Sequence, residues 1–279
     1  MQNLKNYSML LVLLFFTGNA IFAQKLPSIQ KNGVYAPINV KVDGKPTEWG
    51  NKFEAYNKAN QIYYTMANDA ENLYLVIQAD RIQMVQKTMM AGITVTINSS
   101  KKKEDKNAVS VTFPVMKRPE YQKIMRIALT GLDGADYHEL EPIKDSVLKT
   151  KRLDSIMQKA NAQIPQNMKM IGVKGFPDVQ DSLISVYNEV GIQLSARFDN
   201  RLTVTYELAI PLKYLGLSAT KPGPVAYHIV LNGGDTRYIN TGGISFRYMN
   251  GTAIQSGTAR NMDIVSTTDL WGEYTLAKK

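Results

Sequence analysis

The strongest constraint on this chain is an alternation of apolar and polar residues with period two, repeated in short segments that each end in turn chemistry. Ile62, Tyr64 and Met66 alternate with Tyr63, Thr65 and Ala67, Asn68-Asp69-Ala70-Glu71-Asn72 supplies a turn, and Leu73, Leu75, Ile77 and Ala79 resume the period. Successive side chains of a strand point to opposite faces, so two such runs around an Asn/Asp-rich turn predict a β-hairpin with one buried face. Ile93, Val95 and Ile97 pair in the same way with Val109, Val111, Phe113 and Val115 around the charged tip 99–107. The lysines of that tip belong to a solvated loop rather than to a binding patch. A third hairpin is predicted from 191–198 and 201–210 around Asp199-Asn200, with Leu202, Val204, Tyr206, Leu208 and Ile210 on one face. Pro211, which cannot donate to a ladder, ends it. Tyr227, Ile229 and Leu231 begin a further strand, and Glu273–Ala277 forms the last. Many short strands with regular turns predict a mostly β chain, a two-sheet antiparallel β-sandwich of jelly-roll or immunoglobulin-like type.

The period changes between 119 and 166. Ile143, Val147, Leu148, Ile156, Met157 and Ala160 recur near helical spacing among Lys144, Lys149, Lys151, Arg152 and Lys159, with Pro142 at a first turn and Pro165 past the end. This predicts a basic amphipathic helix in an insertion, packing its apolar stripe on the sandwich.

The N-terminus points to export. Lys5 is the only charged side chain before Lys25, Met9–Phe16 is unbroken apolar sequence, and the small residue Ala23 follows. That is a secretory signal peptide, too short for the ~20 residues of a membrane-spanning helix. The expected partition is 1–23 signal peptide, 24–36 linker or N-terminal arm, and 37–279 the sandwich domain with its insertion at 119–166. The mature protein is expected in the periplasm, at the cell surface or outside the cell, with no transmembrane span after cleavage. The chain has no cysteine, which excludes disulfides, Cys-ligated zinc and a thiol nucleophile, and leaves core burial to hold the domain together. Its net charge of +9 is scattered rather than interleaved with stacking aromatics, and an exported protein meets no nucleic acid.

Nothing marks catalysis. His138 and His228 are the only histidines. His228 lies on a presumed strand between Tyr227 and Ile229, and His138 sits in the oxygen-rich Asp136-Tyr-His-Glu-Leu-Glu141, without the helical spacing of a zinc hydrolase. Nucleophile elbow, phosphate loop and dinucleotide fingerprint are all missing. Glu207 reads as a solvated sheet carboxylate opposite the apolar face of its strand.

Four segments taken in order are similar to a known family. Val42-Asp43-Gly44-Lys45-Pro46-Thr47-Glu48-Trp49 resembles the opening signature of family 9 carbohydrate-binding modules and their relatives. The hairpin from Tyr64 through Leu73-Tyr74-Leu75 to Ile77 resembles the next element, Thr205–Pro211 a late strand ending in Ile-Pro, and Asp269–Leu276 the last strand. The resemblance implies a sandwich of two antiparallel sheets, often exported with polysaccharide-active enzymes, while relatives of the fold include haem-binding and purely structural domains. Xylanase-attached members clamp a sugar between two tryptophans. Here only Trp49 and Trp271 exist, both inside framework signatures where an indole packs on the sheet. The candidate sugar platforms are therefore Tyr238 and Tyr248 in the late loops, with Asp235, Arg237 and Asn240 as hydrogen-bonding neighbours. Calcium held by loop oxygens is the one cofactor to test for, and the metal ligands are open. The expected function is an exported, non-catalytic domain that binds an oligo- or polysaccharide. The alternative is an envelope structural or protein-interaction domain, with envelope proteins as partners.

Overall fold

The computed structural model describes residues 25–100, 105, 107–130, 146–177, 179–218, 220, 223–234, 246–249, 252–255 and 259–279, without the side chains of 146, 246–255 and 259–261. In chain order the strands are β1 Ala55–Asn57, β2 Ile62–Asn68, β3 Asn72–Ala79, β4 Ile93–Asn98, β5 Val109–Val115, β6 Met170–Lys174, β7 Leu183–Ser185, β8 Gln193–Phe198, β9 Val204–Pro211, β10 Pro224–Leu231, β11 Phe246–Met249, β12 Thr252–Gln255 and β13 Thr268–Thr275. The helices are α1 Ile82–Ala91, α2 Arg118–Leu129, α3 Ser146–Asn167 and α4 Ala259–Val265. No helix among the described residues is long and apolar enough to cross a membrane.

Two antiparallel sheets stack as a β-sandwich. The first has the order β1-β2-β3-β9-β8 and the second β13-β10-β4-β5-β6-β7, while β11 and β12 form a separate hairpin. The inward halves of the alternating runs make one core: Tyr64, Leu75, Ile77, Val204, Tyr206 and Leu208 from the first sheet meet Val95, Val111, Phe113, Tyr227 and Ile229 from the second. Two contacts tie the layers together. Phe113 meets Tyr206 edge-to-face at 6.2 Å, and the buried hydroxyls of Tyr64 and Tyr227 share a hydrogen bond of 2.9 Å. Tyr227 fits because Gly272 faces it in register. A Cβ at Gly272 would lie 2.2 Å from the Tyr227 ring, so the tail signature Leu-Trp-Gly-Glu-Tyr needs its glycine to admit that ring.

Among its described residues the insertion forms two helices, α2 and α3, and packs part of the expected apolar stripe on the sandwich. From α3, Met157, Ala160 and Ile164 enter the core, while Val147 and Leu148 at its start stay exposed. Pro165 lies inside the last turn of α3 instead of beyond it. The Asn161 side chain completes the open edge of β8, donating to the Phe198 carbonyl at 2.9 Å and accepting from the Phe198 N–H at 2.8 Å. A helix laid on a sheet edge in this way removes a template for unwanted strand pairing.

Residues 25–36 run along the first sheet. The Gln30 side chain donates to the Met66 carbonyl and accepts from the Met66 N–H, and Tyr35 bridges Asn68. From Val34 onward, Val34, Ala36, Val40, Val42, Trp49 and Phe53 roof the outer face of this sheet over Ala67, Tyr74, Val76 and Ala209. Glu207 fastens the roof, which corrects its reading as a solvated carboxylate. It points to the outer face, as the alternation requires, yet is only 2% exposed. One carboxylate oxygen accepts from the Trp49 indole N–H at 2.9 Å, and the other accepts from the Asp43 and Gly44 N–H groups at 2.9 and 2.7 Å. Burial pushes this carboxyl above the usual range, against the pull of those three donors. Gly44 has φ +81°, and a Cβ there would lie 2.7 Å from Cβ of Arg197. The Asp-Gly…Glu-Trp signature is thus a clasp: glycine for close approach, tryptophan for cover and an N–H for Glu207.

Candidate functional site

The outer face of the second sheet contrasts with the roofed first sheet. Alternation that buries Val95, Ile97, Tyr227, Ile229 and Leu270 turns Thr94, Thr96, Ser110, Thr112, His228, Val230 and Trp271 outward, and all seven remain partly exposed, with Asp269 and Glu273 exposed beside them. Strand register then builds two rows across the sheet. One runs Trp271–His228–Thr96–Ser110–Lys174 and the next Asp269–Val230–Thr94–Thr112–Gly172.

The rows are organised by short polar contacts. His228 Nε2 lies 2.7 Å from Asp269 Oδ2, and its ring stacks on the Trp271 indole at 3.9 Å between centroids with 9° between planes. The carboxylate fixes the imidazole, and the imidazole fixes the indole at the sheet edge. Thr94 and Thr112 share a hydroxyl–hydroxyl hydrogen bond of 2.8 Å, as do Thr96 and Ser110. Asn232 extends the set, its amide donating to Thr94 Oγ1 and to the Ala91 carbonyl, each at 3.1 Å. Hydroxyls in such pairs keep lone pairs for a ligand. A flat aromatic edge beside a ladder of hydroxyls, an amide and a carboxylate can stack an apolar ring face and pair with hydroxyl groups. Among the described residues no cluster of three His, Asp or Glu side chains could hold a metal ion.

The residues named from sequence fall differently. Asp235, Arg237, Tyr238 and Asn240 lie outside the described residues, as do His138 with its acidic neighbours and the leader at 1–23. Tyr248 is on β11, paired with Ala253, and only its backbone is described. All five site candidates belong to the connection from β10 to β13, the two strands that carry His228 and Trp271. Trp49 is framework, 9% exposed within the roof. Trp271 packs on the sheet through His228, in keeping with a framework signature, and stays partly exposed on the open face. Thr94, Thr96 and Asp269 were missed, although the same alternation that buried Val95 and Leu270 marks them as outward.

No protein-family model matches the chain, and no curated protein matches it. Among solved structures it is similar to a carbohydrate binding module family 9 (CBM9) from Caldicellulosiruptor kristjanssonii in complex with glucose. That alignment covers 89% of this chain and 97% of the other at 8% identity, with a TM-score of 0.36.

Proposed function

We propose that this protein is an exported, non-catalytic domain that binds an oligo- or polysaccharide on the open face of its second sheet. The observation that carries the reading is the Trp271–His228–Asp269 unit set beside the paired hydroxyls of Thr94, Thr96, Ser110 and Thr112. The indole supplies the stacking surface, the imidazole and carboxylate hold it in place, and the hydroxyl ladder and Asn232 present donors and acceptors spaced by the strand separation of about 4.8 Å. No acid–base pair or nucleophile is needed for that task. The export signal read from 1–23 and the sequence resemblance to family 9 modules support the same conclusion.

Trp271 also supplies the test. In a Trp49→Phe background its indole is the only one left, so a saccharide that stacks on it shifts its emission. Titration of that variant with candidate oligosaccharides should give a saturable change, and His228→Ala should weaken the midpoint by about tenfold, the loss of roughly 1.4 kcal/mol of positioning. Emission unmoved by a saccharide that binds by calorimetry would place binding elsewhere. A second reading, contact with an envelope protein, draws on the edge strand β7, where Leu183 and nearby Met170 and Tyr187 are exposed.

A further inference from the structure

The roof over the first sheet is incomplete, and the gap has a distinct chemistry. Outward residues of that sheet form three rows. Two of them, Thr65–Val76–Glu207–Ser195 and Ala67–Tyr74–Ala209–Gln193, lie along the segment fastened by Glu207. The third row, Tyr56–Tyr63–Gln78–Thr205–Arg197, crosses all five strands and passes beyond the clasp. An open cleft of about 330 Å³ results, walled on one side by the Lys45–Thr47 loop and Phe53 and on the other by the Asp199–Arg201 turn.

Three cations line this cleft, and two are already compensated. Lys45 Nζ pairs with Asp43 at 3.0 Å, and Arg201 reaches Asp199 through Nε and Nη2 at 3.3 and 3.2 Å. The side chain of Arg197, half-buried on the floor, makes no ion pair or hydrogen bond among the described residues. Its Cβ lies close under Gly44, which fixes where the side chain leaves β8 on the cleft floor. Beside it, Thr205 is buried and its Oγ1 accepts from Gln78 Nε2 at 3.0 Å. That bond leaves the threonine hydroxyl proton and the Gln78 carbonyl oxygen for a ligand. Aromatic surface continues the same row, where Phe53 packs on Tyr63 at 5.7 Å and Tyr63 on Tyr56 at 4.5 Å.

A planar guanidinium fork without a carboxylate, next to a hydroxyl donor, an amide acceptor and aromatic rings, matches one class of ligand. The geometry points to a second binding site, for a carboxylate-bearing sugar unit of the hexuronate type. The carboxylate takes Arg197, ring hydroxyls take Thr205 and Gln78, and the C–H face of the ring lies toward Phe53. This site is on the opposite sheet from Trp271 and stands whether or not the Trp271 face binds sugar.

The test is calorimetric titration of the purified protein with an α-1,4-linked galacturonate trimer, the galactose trimer of the same linkage, and sodium acetate. The uronate trimer should bind at least tenfold more tightly than the neutral trimer, and acetate should bind far more weakly than the uronate trimer. Arg197→Gln should weaken the uronate trimer by ten- to a hundredfold, the worth of one charge-assisted pair. Arg197→Lys, which keeps the stem and charge but loses the fork, should fall between, and serves if the glutamine variant does not fold. Trp271→Ala should leave uronate affinity unchanged. Equal affinity in the parent and both Arg197 variants overturns the site, as does loss in Trp271→Ala with retention in Arg197→Gln. Acetate binding as tight as the trimer would overturn the saccharide assignment.

Discussion

Replacing Glu207 by glutamine isolates what the N-terminal signature does. The substitution keeps the shape but exchanges one carboxylate oxygen for an NH₂ group. Three donors converge on this side chain, the Trp49 indole on one oxygen and two backbone N–H groups on the other. In either orientation of the amide a donor faces a donor. The less costly orientation keeps the Asp43 and Gly44 bonds in weaker, uncharged form and abandons the indole. A hydrogen bond to a charged group is worth about 1.5–3 kcal/mol, and an orphaned buried donor costs about 1–3 kcal/mol more. Relief from burying a charge returns part of this, leaving a loss of about 3 kcal/mol. For a chain of this size that lowers Tm by about 6–12 °C. Denaturant unfolding followed by circular dichroism measures it, and a double-mutant cycle with Trp49→Phe tests the cause. Without the indole donor, Glu207→Gln should cost about 1–2 kcal/mol less than in the parent. Additive single and double variants, or a Tm change below about 2 °C for Glu207→Gln, would refute the clasp.

Other consequences are as specific. Gly272→Ala places a methyl group inside the Tyr227 ring position and should destabilise by about 3 kcal/mol through overpacking, with Gly272→Ala/Tyr227→Phe recovering little because the ring remains. Lys87 is fully buried on α1 with Thr268 Oγ1 at 2.9 Å as its hydrogen-bond partner, and burial lowers its pKa from 10.5 to about 8 while the Asp263 charge works the other way. Because the folded pKa lies below the unfolded one, the cost is complete below pH 8 and stability rises between about pH 8 and 10.5. Lys87→Met should therefore stabilise at pH 7 by about 2 kcal/mol after allowing for the lost Thr268 bond, and should flatten the alkaline rise in urea midpoints. A variant less stable than the parent at pH 7 would contradict this.

Legibility in the sequence follows from how local the determining interactions are. The hairpins β2–β3, β4–β5 and β8–β9 were readable because alternation and turn chemistry lie within one short stretch, and Asp69 secures the first turn by accepting from the Glu71 and Asn72 N–H groups. Helix α1 was not readable. It buries the polar Lys87 and Thr88 along with Met84, Val85 and Met89 and has no side-chain N-cap, so its sequence shows neither a clean apolar stripe nor a start signal. Glu207 was misread because its cover comes from Asp43, Gly44 and Trp49, some 160 residues away in the chain. The same distance hid the candidate face. Alternation tells that Thr96, His228 and Trp271 point outward, but only the long-range register of β4, β10 and β13 sets them in one row.

The central claim is a saccharide site on the second sheet, and a glycan-array screen of the purified protein and its Trp271→Ala variant, with and without calcium, tests it most directly. The account predicts a saturable oligosaccharide hit that the variant loses while its far-ultraviolet circular dichroism stays that of the parent. A folded parent that retains no glycan, or hits on carboxylate-free glycans unaffected by Trp271→Ala, would contradict it.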